Sequence, residues 1–171
     1  MNSFSKVIAI MLAVILLFIT PLLNMSQKQD SIVQAVIDHE TTQFIDAIRN
    51  RGYVSKDMYQ SYLSKIDKTG NLYNIEICHA HKKTVPNYDE TTNTILDGYY
   101  SYFYNTYQDV IFAAFDEGKD YFYNQGDYIS IIVVNRNKTM STRILEALSV
   151  RSISTEQIIF TYGGMIRDEV D

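Results

Sequence analysis

The sequence predicts an α+β protein: an N-terminal transmembrane helix continuing into an amphipathic helix, then a small head with one sheet of about four strands and helices on one face. Three observations predict it. Val7–Leu23 (VIAIMLAVILLFITPLL) holds no charged residue and is apolar at every position except Thr20 and Pro21. Ser26–Asn50 places Ile32, Val33, Val36, Ile37, Phe44, Ile45 and Ile48 at the three-and-four spacing of one helical face. Beyond Gly52 the patterning reads helix, then β–β–α–β–α–β, which closes as a sheet covered by helices.

At 1.5 Å per residue the Val7–Leu23 run spans about 26 Å, the short end of what crosses a bilayer core. Its apolar contact surface is carried by Val7, Ile8, Leu12, Ile15, Leu17, Phe18, Leu22 and Leu23. A cleaved secretory signal needs small residues after its apolar core, and Leu22-Leu23-Asn24-Met25-Ser26 offers large ones. A buried core helix usually keeps a polar stripe, and this run has none. An uncleaved signal-anchor is the reading these residues favour. Lys6 on the short flank orients it with the N-terminus cytoplasmic, because basic residues stay inside. The chain then divides into a cytoplasmic stub plus anchor, residues 1–25, and an extracytoplasmic α+β domain, residues 26–171.

Gly52 stops the amphipathic helix, which continues the membrane helix past Pro21. Ser55 caps a second helix over Lys56–Asp67, with Met58, Tyr59, Tyr62, Leu63 and Ile66 on one side and Thr69-Gly70 ending it. Leu72–Ala80 alternates apolar and polar residues as a half-buried strand, and the polar, Pro86-containing stretch Lys82–Asn93 reads as a loop. Gly98–Tyr104 is an aromatic strand. Thr106–Phe115 is a short helix with Val110, Ile111, Ala114 and Phe115 inward. Asp116–Gln125 is an irregular connection, and Tyr128–Val134, rich in β-branched residues, is the clearest strand. Thr139 caps a helix to about Ser149, with Met140, Ile144, Leu145 and Leu148 inward. A loop at Ser152–Thr155, a last strand at Gln157–Tyr162 and a Gly163-Gly164 turn complete the order.

The net charge of -5, without a lysine or arginine cluster, argues against nucleic acid as a partner. Cys78 is the only cysteine, so no intrachain disulfide forms. Fourteen tyrosines accompany no tryptophan, and tyrosine suits half-buried faces and contact surfaces.

Few residues suggest chemistry. On a strand, His79 and His81 point to the same side and Cys78 to the other, a spacing that lets two imidazoles share a metal, with His39-Glu40 as candidates to complete it. The plainer reading is a polar strand end running into Lys82-Lys83, and no metal or other cofactor is expected. There is no G-x-S-x-G elbow and no H-E-x-x-H, since Gln43 stands where His39-Glu40 would need a second histidine. The expected protein is no enzyme and has no small-molecule substrate. Tyr99, Tyr100, Tyr102 and Tyr104, with Tyr107, make either a partner-contact surface or a strand with core and edge rings. Asn137-Lys138-Thr139 matches a glycosylation acceptor, but Thr139 is better explained as a cap.

Several segments together carry a resemblance: Phe44-x-Asp46-x-Ile48-Arg49-x-Arg51-Gly52-Tyr53, Thr69–Ile77 running to His79-x-His81-Lys82, Gln125-Gly126-Asp127-Tyr128, Asn137-Lys138-Thr139 and Tyr162-Gly163-Gly164-Met165. The chain resembles small bacterial single-anchor envelope proteins, similar in layout to Tad or type IV pilin-like (pseudopilin-like) subunits. The resemblance implies a non-enzymatic, membrane-anchored component of a pilus or secretion apparatus, with the bilayer bound through residues 7–23 and protein partners in an envelope assembly. It departs from prepilins in having no acidic residue before Asp30, where they carry a Glu early in the helix. A minor or accessory role fits that departure. The alternatives are a membrane-tethered binding or sensor module and, third, a metal-dependent enzyme.

Overall fold

The structure is a computed structural model, and it describes residues 3–89, 91, 94–148 and 159–167. Helix α1 (Ser3–Arg51) is one continuous helix of 49 residues, about 74 Å long at 1.5 Å per residue. Pro21 lies inside it and does not end it. The helix falls into two physically different halves. From Phe4 to Met25 every side chain is exposed apart from Ile19 and Leu23, which are half-buried. From Ser26 on, Val33, Ile37, Thr41, Phe44, Ile45 and Ile48 are buried against the head. Ile32 and Val36, expected on that face, stay outside at 64% and 37% exposure. Each sits one position before a buried residue, about 100° around the helix, and the head covers only the narrower stripe.

Gly52 closes α1 in the left-handed conformation (φ 73°), its N–H donating to the Ile48 carbonyl at 2.8 Å. Strand β1 (Tyr53–Val54) follows, then α2 (Lys56–Asp67), whose cap Ser55 accepts from the Met58 N–H. Helix α2 packs on α1 through Tyr62, stacked on Phe44 with ring centroids 4.5 Å apart, and through a 2.9 Å hydrogen bond between the Tyr62 and Thr41 hydroxyls.

The main sheet is antiparallel throughout, in the order β3 (Thr94–Tyr107), β2 (Tyr73–Asp89), β5 (Tyr128–Asn135), β6 (Ile159–Met165). Helix α3 (Gln108–Asp116) follows β3, the short β4 (Tyr121–Phe122) pairs with β1, and α4 (Met140–Leu148) follows β5. On β5, Ile129, Ile131 and Val133 are fully buried while Tyr128 and Ile132 face outward. This alternation places the core on one side of the sheet, under α1, with Ile77, Ile111 and Phe115 joining it.

Several sequence expectations change. Lys82–Asp89 is not a loop: β2 continues there, paired with β3 from Lys82↔Phe103 to Asp89↔Thr94 with an irregularity between Pro86 and Tyr88. The β5 ladder ends at Ala80, so this part of β2 has a neighbour on one side only. Pro86, without an N–H, is tolerated at such an open edge, and polar residues suit a ribbon wetted on both faces. Strand β3 is correspondingly longer than Gly98–Tyr104, and α3 starts at Gln108 because Thr106 and Tyr107 still pair with β2. Gly163 and Gly164 form no turn but lie in β6. A Cβ on Gly163 would sit 2.5 Å from the Ile129 carbonyl oxygen, and one on Gly164 would sit 2.5 Å from the Arg49 guanidinium. Bare backbone lets that guanidinium lie on β6, where it donates to the Met165 carbonyl at 3.0 Å and to Asp46 at 2.6 Å. Val110, Met140 and Leu148, expected inward, are exposed at 48%, 55% and 48%. In α4 the buried positions are Ser141 and Thr142 instead, and Ser141 bonds Asp30 of α1 at 2.5 Å. The expected loop at Ser152–Thr155 lies outside the described residues.

Candidate functional site

The residues that converge most tightly lie where β2 leaves the cover of β5. His79 and His81, two apart on β2, share a face, while Cys78 is on the other side, opposite Ser130. Ala80 pairs with Tyr128, the first residue of β5. Asp127, one residue earlier, therefore turns in beside both imidazoles.

Its carboxylate is held by three hydrogen bonds. Oδ1 accepts the Lys82 N–H at 2.8 Å, and Oδ2 accepts the Asn124 N–H at 3.0 Å and His79 Nε2 at 2.8 Å. His81 Nδ1 stands 3.7 Å from the same Oδ2, beyond hydrogen-bond length. The remaining ring nitrogens meet hydroxyls: His79 Nδ1 is 2.9 Å from Tyr121 Oη, and His81 Nε2 is 2.9 Å from Thr106 Oγ1. Tyr104 stacks on His81 at 4.6 Å, and the two imidazoles lie 3.6 Å apart. Tyr123 closes the floor against His79, its hydroxyl buried without a hydrogen-bond partner among the described residues.

Burial sets the protonation states. Desolvation lowers the pKa of His79, outweighing the hydrogen bond to Asp127, so the ring is neutral at neutral pH. Burial pushes the Asp127 pKa up, but the Lys82 and Asn124 N–H groups and His79 more than offset it, and the carboxyl is held below its usual range. Desolvation, with the charge of Asp127, raises Tyr121 to about 12. The result is a buried carboxylate with two imidazoles and a protonated phenol around it.

The structure thus joins His79 and His81, as their spacing suggested, but not to His39 or Glu40. His39 bonds Gln43 on the exposed side of α1, and Glu40 pairs with Lys65 of α2 at 2.7 Å. Asp127 takes the place proposed for them. No local pattern reveals it, because the pairing register of β2 with β5 brings it there. The donor atoms of His79, His81 and Asp127 all fall within 4.8 Å of one another.

A second feature is the set of exposed aromatic rings on both faces of the β2–β3 ribbon. Tyr99, Tyr100, Tyr102, Tyr104 and Tyr107 are all exposed, from 41% to 77%, as is Phe103. None belongs to the core: β3 is an edge strand, and from Tyr99 to Tyr104 it runs with β2 past the end of β5. Asn137 spends its side chain inside the head, accepting from the Leu72 N–H and donating to Asn71, each at 2.8 Å. Thr139 accepts the Thr142 N–H as a cap.

Val7, Ile8, Leu12, Ile15, Leu17, Phe18, Leu22 and Leu23, the residues expected to anchor the chain, lie in the half of α1 that is long and apolar enough to cross a membrane, and none of them is buried. Compared with protein-family models, curated proteins and solved structures, the chain matches none.

Proposed function

We propose that this chain is a non-enzymatic, single-pass protein of the bacterial envelope, serving as a minor pilin-like or accessory component of a pilus or secretion apparatus. Residues 7–23 form its signal-anchor, the N-terminus is cytoplasmic, and residues 26–171 are extracytoplasmic. The observation that carries this reading is the division of α1. One uninterrupted helix has an apolar half in which no residue is buried and a second half built into the head's core. Large exposed apolar side chains over several turns require lipid or the apolar helices of neighbouring subunits. The continuous backbone then makes the head a rigid extension of whatever the apolar half is packed in.

Deleting the gene tests the role: loss or alteration of surface filaments, adhesion or secretion supports it, and unchanged behaviour in all three overturns it. The N-terminal sequence of the mature protein separates the forms of the anchor. An intact Met1 or Asn2 indicates a permanent anchor, a start within Ser3–Val7 pilin-type processing, and a start beyond Leu23 a released domain.

A second reading is a membrane-tethered binding or sensor module, favoured by the exposed rings of the β2–β3 ribbon. Replacing Tyr99, Tyr100 and Tyr102 by Ser distinguishes it, since lost partner capture with an intact fold supports that reading.

A further inference from the structure

Both imidazoles of β2 turn one nitrogen to a single carboxylate and the other to a hydroxyl. His79 Nε2 and His81 Nδ1 lie 2.8 Å and 3.7 Å from Asp127 Oδ2, while Tyr121 and Thr106 hold the opposite nitrogens at 2.9 Å. We propose that His79 Nε2, His81 Nδ1 and the Asp127 carboxylate form a binding site for a divalent transition metal, with Zn²⁺ the best fit.

Geometry supports the size of the ion. Tetrahedral zinc with bonds of about 2.0–2.1 Å separates its ligand atoms by roughly 3.3 Å. The two distances to Asp127 Oδ2 lie on either side of that value, and all three ligand atoms fall within 4.8 Å of one another, so side-chain rotation draws them onto one ion without moving the strands. The backbone is already arranged for it. Lys82 and Asn124 N–H groups fix the carboxylate, and β2 fixes both rings on one face. Three protein ligands leave a fourth position for water, and His81, 19% exposed at its side chain, gives access from solvent.

The hydroxyls make the site compatible with both metal-free and metal-bound states. Without metal, His79 donates its Nε2 proton to Asp127 and accepts at Nδ1 from the Tyr121 hydroxyl. With metal on Nε2, the proton resides on Nδ1 and the same phenol accepts it. Thr106 makes the corresponding exchange at His81 Nε2. A hydroxyl can donate or accept, so His79 Nδ1 and His81 Nε2 keep a partner in either state. A hydrogen-bonded outer shell of this kind orients ligating histidines. Two imidazoles with one carboxylate select borderline ions over Ca²⁺ and Mg²⁺, which require oxygen shells.

The competing account is a hydrogen-bond clamp tying the loop before β5 to β2. That clamp uses His79 alone. His81 faces the carboxylate from too far to bond it, and a bridging ion makes use of that position. The site is independent of how α1 is anchored.

The test uses the full chain, purified in nonionic detergent with a tag lacking histidine, stripped with chelator and titrated with ZnCl₂ alone. Elemental analysis after desalting is expected to return one zinc per chain, and the melting temperature is expected to rise with zinc. Co²⁺ loading is expected to give visible absorption bands of a low-symmetry site. His81→Ala is expected to abolish retention and the bands, Thr106→Val to weaken zinc by about 10–100-fold, and Cys78→Ser to change nothing. If His81→Ala does not fold, Thr106→Val decides: weakened binding supports the site and unchanged binding overturns it. Failure of the stripped wild-type chain to retain zinc, or retention unaffected by both His81→Ala and Thr106→Val, overturns the proposal and leaves the clamp.

Discussion

Replacing Ile45 by Ala measures how firmly the second half of α1 belongs to the head. Ile45 is fully buried, in a cluster with Ile37, Ile48, Ile131 and Val133. The substitution removes three carbons at about 0.8 kcal/mol each, or roughly 2.4 kcal/mol of transfer free energy. Incomplete collapse around the vacated volume raises the loss, and Ala's better helix propensity returns a few tenths. The expected cost is about 3–4 kcal/mol, a large part of the stability of a domain this size. The same substitution at Ile32, 64% exposed on the same helix, is expected to fall within about 0.5 kcal/mol of wild type. Thermal and urea unfolding in nonionic detergent, followed by near-UV tyrosine dichroism, reads the head while the apolar helix stays folded in the micelle. A difference of roughly 6–16 °C in melting temperature between the two variants is expected. Equal effects at the two positions would refute the reasoning, because the head would not then depend on the helix face assigned to its core.

Gly163→Ala is expected to cost about 1–3 kcal/mol, since its Cβ meets the Ile129 carbonyl oxygen at 2.5 Å and rigid backbone must move; faster amide exchange along β6 would report it. Alkali should unfold the head in part through Tyr62, whose pKa is raised by burial from 10.0 to about 12. A raised folded pKa contributes stability that is full below the unfolded value and is lost as pH climbs through the folded one. Wild type should therefore lose stability between about pH 10 and 12, and Tyr62→Phe should show a shallower decline over that window. Tyr99→Ser and Tyr107→Ser, at 77% and 61% exposure, are expected to leave the melting temperature almost unchanged, within about 0.5 kcal/mol each. Unfolding of either variant would assign the rings a structural duty.

Much of this fold was readable from local pattern because local physics governs it. The Ser55 cap, the Gly52 stop and the apolar continuity of Val7–Leu23 each depend on residues within one or two turns. Strand β5 announces itself by β-branched alternation. The same rules failed where a remote neighbour sets the environment. Pro86 and the polar residues after Lys82 signal a loop, yet they form a ribbon because β3 pairs with them on one side and water takes the other. Gly163-Gly164 resembles a turn, yet it lies in β6, where a backbone carbonyl of β5 crowds any Cβ at Gly163 and the guanidinium of Arg49 lies against Gly164.

By itself, the sequence determined that one helix carries an apolar half long enough for a bilayer and that an α+β head follows. Those properties follow from chain order and hydropathy, which need no knowledge of what packs where. It also put His79 and His81 on one face, because strand periodicity is local. Only the tertiary structure decided what they face. Asp127, Tyr121 and Thr106 come from three different segments, brought to the two imidazoles by strand register and loop path, and a register is fixed by long-range pairing that no local spacing encodes.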